Sequence, residues 1–183
     1  MSELARLPGV GPASPDAVAQ ALLDGVVGWF ADNTPDDYPA LPARRYVAGG
    51  DPRAVAWDDT AGQVTVTLGR ILVGLDSTRS QQPVRVPRAS PANSGRYTQT
   101  ASFEVQVVRC APALAPADAL HAHGLLVTAD AGYLIRAVLA VANSGALTRA
   151  PVGEAGVTVD DLVTLGPDGG AAAAAVGLTV PLL

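Results

Sequence analysis

The segment that most limits how this chain can fold runs from Gln63 to Leu75, where apolar and polar residues alternate. Alternation with a period of two is typical of a strand that buries one face. The phase changes at Gly69-Arg70, with one apolar set before it and the other after it: Val64, Val66 and Leu68, then Ile71, Val73 and Leu75. A β-bulge produces a phase change of this kind, and glycine tolerates its geometry. We therefore predict one long, bulged strand in a sheet that is covered on one face.

Two other segments carry apolar residues at helical spacing. The first begins at Ser14-Pro15-Asp16, where serine is a good N-cap and proline fits the first turn, and it ends near Asp32-Asn33. We expect Trp29 and Phe30 of this helix to pack in the core. The second opens at Pro116 and stops at Asn143-Ser144-Gly145. Its predicted apolar stripe consists of Leu120, Val127, Ala131, Leu134, Ile135, Val138 and Leu139.

Four further strands complete the pattern. Two are predicted at 44–49 and 101–111, and two form a C-terminal hairpin around the turn sequence 166–170. The alanine run 171–175 is interpreted as a strand of small side chains that packs against a neighbouring subunit, with a single helical turn as the alternative. Pro181 places that strand at a sheet edge or puts the proline at the strand's end.

The resulting order, α-β-β-β-α-β-β, predicts an α+β fold with a mixed, mainly antiparallel sheet and two helices packed on one face. We expect residues 1–13 to be a flexible tail and 14–183 to form a single domain. All twelve basic residues are arginine and only three acids are glutamate. A chain so poor in lysine and glutamate does not match a coiled coil.

Charge is distributed unevenly along the chain. Four arginines and one aspartate give the predicted loop 76–98 a net charge of +3. Because the whole chain has a net charge of −5, the other residues together carry a net charge of −8. A loop of this length is usually functional or disordered, and both a solvated loop and one that orders on a partner remain open. Its arginines are Arg79, Arg85, Arg88 and Arg96.

The acidic total argues against sequence-specific DNA binding, which needs a basic face. Cys110 is the single cysteine, so no intrachain disulfide forms. Residues 1–12 lack the apolar core of a signal peptide. The apolar runs are broken well short of the roughly 18 residues that a membrane span needs, and no membrane partner is expected.

The residues that commonly perform chemistry do not form a convincing site. His121 and His123 are two apart on a predicted helix and point in different directions, so they cannot share a metal ion, and Cys110 is interpreted as a small apolar core residue. Three acidic pairs are interpreted as solvated or capping groups: Asp36-Asp37, Asp58-Asp59 and Asp160-Asp161. No phosphate-binding loop motif occurs. We therefore predict no catalytic, cofactor or metal site, and no enzymatic activity.

Four short motifs carry a resemblance to a known family: Arg45-Tyr46-Val47-(x)2-Gly50, Ala56-Trp57-Asp58, Gln63-Val64-Thr65-Val66 and Phe103-Glu104-Val105-(x)2-Val108-Arg109-Cys110-Ala111-Pro112. Together with the element order and the C-terminal hairpin, they make the chain from about residue 15 onward similar to actinobacteriophage head–tail connector proteins regarded as tail terminators of long-tailed phages. Many members carry a second cysteine after Trp-Asp, where this chain has Asp59.

The resemblance implies a structural virion protein at the head–tail junction, assembled in the host cytoplasm. It would form a hexameric ring that caps the tail tube, stops its growth and docks to the head-side stopper, with genomic DNA passing non-specifically through the lumen. The implied partners are further copies of the chain, the tail tube protein and the stopper or connector protein.

Within this picture, the arginines of loop 76–98 are assigned to contacts between rings, as a hypothesis. Helix 15–32 and strand 171–182 are expected to contribute subunit contacts. Two alternatives stay open. One is a head-to-tail stopper or adaptor ring, and for a stopper more β-barrel character and no long second helix are expected. The other is a small non-enzymatic ligand-binding α+β domain.

Overall fold

The structure, a computed structural model, describes residues 14–50, 62–75, 97–110, 116–147, 156–168 and 171–182. Seven elements follow one another along these residues: α1 (Pro15–Asn33), β1 (Arg45–Gly49), β2 (Gln63–Leu75), β3 (Tyr97–Cys110), α2 (Ala117–Asn143), β4 (Thr158–Asp168) and β5 (Ala171–Leu182). The order α-β-β-β-α-β-β and the α+β class are as predicted.

The five strands form one sheet in the order β1-β2-β3-β5-β4. Only β1 and β2 are parallel, and the other neighbouring pairs are antiparallel. The C-terminal hairpin therefore lies at one side of the sheet with β4 outermost, while β5 is paired along both of its edges. Pro181 is next to the last residue of β5, so the second reading of that proline, at the strand's end, is the correct one.

The predicted bulge in β2 is confirmed. The register against β3 shifts between Leu68 and Arg70, at Gly69. Leu68 lies opposite Phe103 and Ile71 opposite Ala101, and both partners belong to the same face of β3. The extra residue thus brings Ile71 back to the side of the sheet that carries Leu68.

Both helices cover that same side. The N-terminus of α1 is capped as predicted, because the backbone N–H of Ala17 donates to Ser14 Oγ at 3.3 Å. One core joins the two helices to the sheet, and its largest members include Leu22, Phe30, Phe103, Leu134 and Leu178. Trp29 is only partly buried, and it packs against this core rather than within it.

The two helices approach each other closely at Gly25. A Cβ atom there would lie 2.6 Å from Val141 Cγ2, which is closer than atoms can pack, so any larger residue at position 25 would force Val141 to move. The predicted stripe of α2 is wrong at two positions. Leu120 belongs to the first turns of α2, which are largely exposed, and Leu139 lies beside the buried stripe; both side chains are exposed.

The predicted loop between β2 and β3 was too long at its C-terminal end. β3 begins at Tyr97, four residues before the predicted start at Ala101. The segment Tyr97 to Thr100 has little apolar content and therefore gave no strand signal, yet it pairs with the distal half of β2. Residues 76–96 of that loop, and the predicted tail 1–13, lie outside the described residues.

Candidate functional site

The most fully bonded polar group in the described part of the chain is a buried ion pair between β3 and α2. Arg109, near the end of β3, donates from Nε to Asp130 Oδ2 at 2.8 Å and from Nη2 to Asp130 Oδ1 at 2.9 Å. Such a two-point contact fixes both the distance and the orientation of the partners. Asp130 is fully buried in α2. The pair therefore anchors α2 to the end of β3.

The segment after α1 closes over the same pair. Tyr38 donates its hydroxyl to Asp130 Oδ1 at 2.7 Å. Arg109 Nη1 donates to the carbonyl oxygen of Ala40 at 2.8 Å, and Nη2 to that of Pro39 at 3.2 Å. The tyrosine ring also packs edge-on against Tyr133, with centroids 4.8 Å apart. We refer to Tyr38, Arg109 and Asp130 as the ionic network.

Burial and neighbouring charges both shift the pKa values of Tyr38 and Arg109. Burial, and then the hydrogen bond to the Asp130 carboxylate, raise the pKa of Tyr38 well above its ordinary value. Burial lowers the pKa of Arg109, but the hydrogen bond and charge of Asp130 outweigh it, so that the pKa of Arg109 is raised overall. Both carboxylate oxygens of Asp130 are occupied and fully buried. The network is therefore built to join segments rather than to act on a substrate.

Cys110 and His123 lie close together but do not form a nucleophile pair. A ring nitrogen of His123, Nε2, is 3.0 Å from the carbonyl oxygen of Cys110, not from its sulfur. The Cys110 sulfur accepts from the backbone N–H of Gly62 at 3.1 Å. His121 is exposed. Within the described ranges, no group of three or more His, Cys, Asp or Glu side chains could hold a metal ion.

The face of the sheet opposite the helices carries a second set of buried polar groups. Gln63, Thr65 and Thr67 of β2 and Gln106 of β3 are each 2% exposed or less. Four of their atoms have no hydrogen-bond partner among the described residues, namely Gln63 Nε2, Thr65 Oγ1, Thr67 Oγ1 and Gln106 Oε1. Thr65 and Gln106 are directly opposite each other. We call these four residues the far-face polar set.

β1 and β4 are the outermost strands of the sheet. Their outer edges pair with no other described strand. On β4, Leu162 is 42% exposed and Val163 is 45% exposed, next to exposed Asp160 and Asp161. The β4–β5 register shifts between Val159 and Leu162, which places both aspartates in an irregularity of the strand. This exposed apolar edge is the candidate functional surface.

The structure changes the expectation for strand 171–182. The five alanines of β5 are buried within the single chain, and both edges of the strand are paired. β5 therefore offers a neighbouring subunit neither a free edge nor exposed alanine surface, and the free edge of the hairpin belongs to β4. The prediction that 171–175 is a strand of small side chains is confirmed.

Of the other residues singled out in the sequence, some are exposed and the rest lie outside the described residues. Asp36 and Asp37 are exposed after α1. Asp58-Asp59 and the four arginines assigned to partner contacts, Arg79, Arg85, Arg88 and Arg96, lie outside the described residues. The ionic network was not predicted, although Asp130 interrupts the apolar stripe of α2 between Val127 and Leu134, and an acid at such a position signals a buried partner.

By length and composition, α2 could span a membrane. The stripe of α2 that includes Leu134 and Val138 packs into the core shared with α1 and the sheet, and Asp130 on the same side holds the ion pair. The core helix of a water-soluble domain passes the same test of length and composition.

Comparison with models of known protein families gives no match, and no curated protein sequence matches this chain.

Proposed function

We propose that this chain is a structural protein of a phage virion: a tail terminator that forms a ring on the tail tube and joins it to the head-side connector. The observation that carries the proposal is the open edge of β4 with its exposed Leu162 and Val163. A long edge strand with exposed apolar side chains is a liability in a monomer, since its unpaired backbone groups can pair with another chain. A closed ring of identical copies removes that liability.

The fold supports the same assignment. The order of elements and the placement of both helices on one face agree with what the resemblance to tail terminators implies. Two features favour a terminator over a stopper, for which a more barrel-like fold without a long second helix is expected. The sheet is open, and α2 is 27 residues long.

The polar chemistry also favours a structural role. Arg109 and Asp130 are bonded to each other and to the segment after α1, so neither side chain is available to bind a substrate. The chain carries a net charge of −5 and no lysine. A protein that lets DNA pass benefits from low affinity for phosphate, because each phosphate that is neutralised strengthens binding.

The test is the position of the chain in an intact virion, determined by electron cryomicroscopy. We expect a sixfold ring directly on the tail tube, and loss of the gene should give tails of uncontrolled length that are not joined to heads. A twelvefold ring next to the head would instead identify an adaptor. Absence of the chain from the virion would overturn the proposal.

The basic segment has its own test. Reversal of Arg79, Arg85 and Arg88 to Glu should abolish joining of tails to heads while the purified chain keeps its circular dichroism spectrum. The matched control is Arg136→Glu, which reverses one exposed arginine on α2. Normal virions from the triple variant would show that these arginines do not join tails to heads. That result would not contradict the terminator proposal.

A further inference from the structure

We infer that the ring closes through the sheet itself: the outer edge of β4 in one copy pairs with β1 of the next copy. This inference rests on the proposed ring function and adds the contact that would build it. Both strands are outermost in the five-stranded sheet and face away from each other. A contact between two different edges is heterologous, and repetition of such a contact with a fixed rotation generates a closed ring.

The strand directions allow this continuation. β1, β2 and β5 run one way along the sheet, and β3 and β4 run the other way. In a ring whose copies share one orientation, β1 of the next copy therefore meets β4 in the antiparallel sense. Antiparallel pairing is the slightly more stable of the two arrangements. The helices of every copy would then lie on the same side of one continuous sheet.

Exposed apolar side chains of β4 match partly buried side chains of β1 face by face. Leu162 lies opposite Val176 on the helix-covered face, and Val163 lies opposite Ala175 on the far face. On β1, Val47 lies opposite Val66 on the helix-covered face and Tyr46 opposite Thr65 on the far face. Continuation of the sheet would place Leu162 beside Val47 and Val163 beside Tyr46. Apolar cross-strand pairs of this kind are the units that stabilise a sheet.

Charge selects β1 rather than a second β4 as the partner. The β4 sequence contains Asp160, Asp161 and Asp168 and no basic residue. β1 begins with exposed Arg45, which follows Arg44, and contains no acid. Pairing of two β4 strands would bring acidic strands together, whereas β1 is a strand that carries Arg45 and no acid. The acids and register shifts of β4 also discourage pairing with an arbitrary strand.

The first test places charge on the edge. In the double variant Leu162→Lys, Val163→Lys, two lysines replace the exposed apolar pair, and we expect a folded monomer where the unchanged chain forms rings. The matched control is Ile71→Lys, Leu72→Lys, which alters residues of β2 that are 48% and 43% exposed. The control should keep the ring. Native mass spectrometry measures the assembly, and circular dichroism checks that each variant is folded.

The second test identifies the neighbour by cross-linking. A mixture of a Val47→Cys chain and a Leu162→Cys chain, each also carrying Cys110→Ser, should form a disulfide between the two kinds of chain under mild oxidation. Neither variant alone should cross-link to itself.

Each remaining outcome decides a different question. Rings that persist in the lysine variant, or rings without the mixed disulfide, would overturn the edge contact and leave the ring function intact. Self-cross-linking of the Leu162→Cys chain would replace the inference with a twofold β4 contact. A wild-type chain that stays monomeric at every concentration would overturn the edge contact, and the position of the chain in the virion would then decide the terminator proposal separately.

Discussion

Both faces of the sheet bury polar groups, but they satisfy the hydrogen bonds of those groups to different extents. On the helix-covered face, both carboxylate oxygens of Asp130 are bonded, and Arg109 holds both the carboxylate and two backbone carbonyls. On the far face, Tyr46 donates to Gln63 and Gln106 donates to Glu104, but four atoms of the far-face polar set have no partner among the described residues. A buried polar atom without a partner costs about 1–3 kcal/mol. The polar groups of the ionic network therefore join segments of the fold, whereas the unpartnered atoms of the far face are buried at a cost in free energy.

The largest expected effect comes from breaking the ionic network at its centre. Asp130→Ala removes the only carboxylate bonded to Arg109 within the described residues and leaves a buried guanidinium without a counter-charge. We expect a loss of about 3–5 kcal/mol in the free energy of unfolding, measured by urea denaturation. Tyr38 and the carbonyl contacts to Pro39 and Ala40 should loosen with it.

Two controls separate this effect from loss of a surface charge. Asp36→Ala removes an exposed aspartate and should change the free energy of unfolding by no more than about 0.5 kcal/mol. The double variant Arg109→Leu, Asp130→Leu removes both charges and should recover much of the stability lost in Asp130→Ala. Equal stabilities of the Asp130→Ala and Asp36→Ala variants would show that the network contributes nothing.

Local signals in the sequence were enough to predict several elements of the fold. The Ser14-Pro15 start of α1 follows from cap chemistry, and the β2 bulge follows from the phase change at Gly69, because both depend on residues close together in the chain. The order of the strands could not be predicted in the same way. The insertion of β5 between β3 and β4 depends on pairing between segments far apart in the sequence.

The candidate sites show the same limit. The ionic network joins residues that are 92 and 21 positions apart, Tyr38 with Asp130 and Arg109 with Asp130, so no short motif encodes it. The composition pointed instead to the arginines of loop 76–98, which lie outside the described residues. The exposure of Leu162 and Val163 also depends on which strand is outermost, and alternation alone does not decide that.

A smaller effect is expected at high pH, where Tyr38 would lose its proton. Since the pKa of Tyr38 is raised in the folded state, the folded chain holds that proton more tightly than the unfolded chain does. This contribution to stability is complete below the ordinary tyrosine pKa of about 10, and it is lost as the pH rises from there toward the raised value. Urea denaturation at pH values from about 8 to 11 should show stability falling above about pH 10.

Tyr38→Phe is the matched variant for this prediction. It removes the hydroxyl that donates to Asp130 and keeps the ring against Tyr133. We expect a loss of about 1.5–3 kcal/mol at pH 7, since hydrogen bonds to charged groups are worth that much, and a shallower decline above pH 10. An alkaline decline identical to that of the wild-type chain would assign it to other groups.

The smallest expected effect, with the opposite sign, tests the far face. Thr65→Val replaces a buried hydroxyl that has no hydrogen-bond partner among the described residues with a methyl group of similar shape. The free energy of unfolding should stay unchanged or rise by up to about 1 kcal/mol, because a buried polar atom without a partner is itself a cost. Thr34→Val makes the same chemical change where the hydroxyl donates to the carbonyl oxygen of Phe30 at 2.7 Å, and it should lose about 0.5–1.5 kcal/mol. If urea denaturation shows the two variants losing stability equally, the Thr65 hydroxyl is bonded in solution, and the contrast between the two faces of the sheet does not hold.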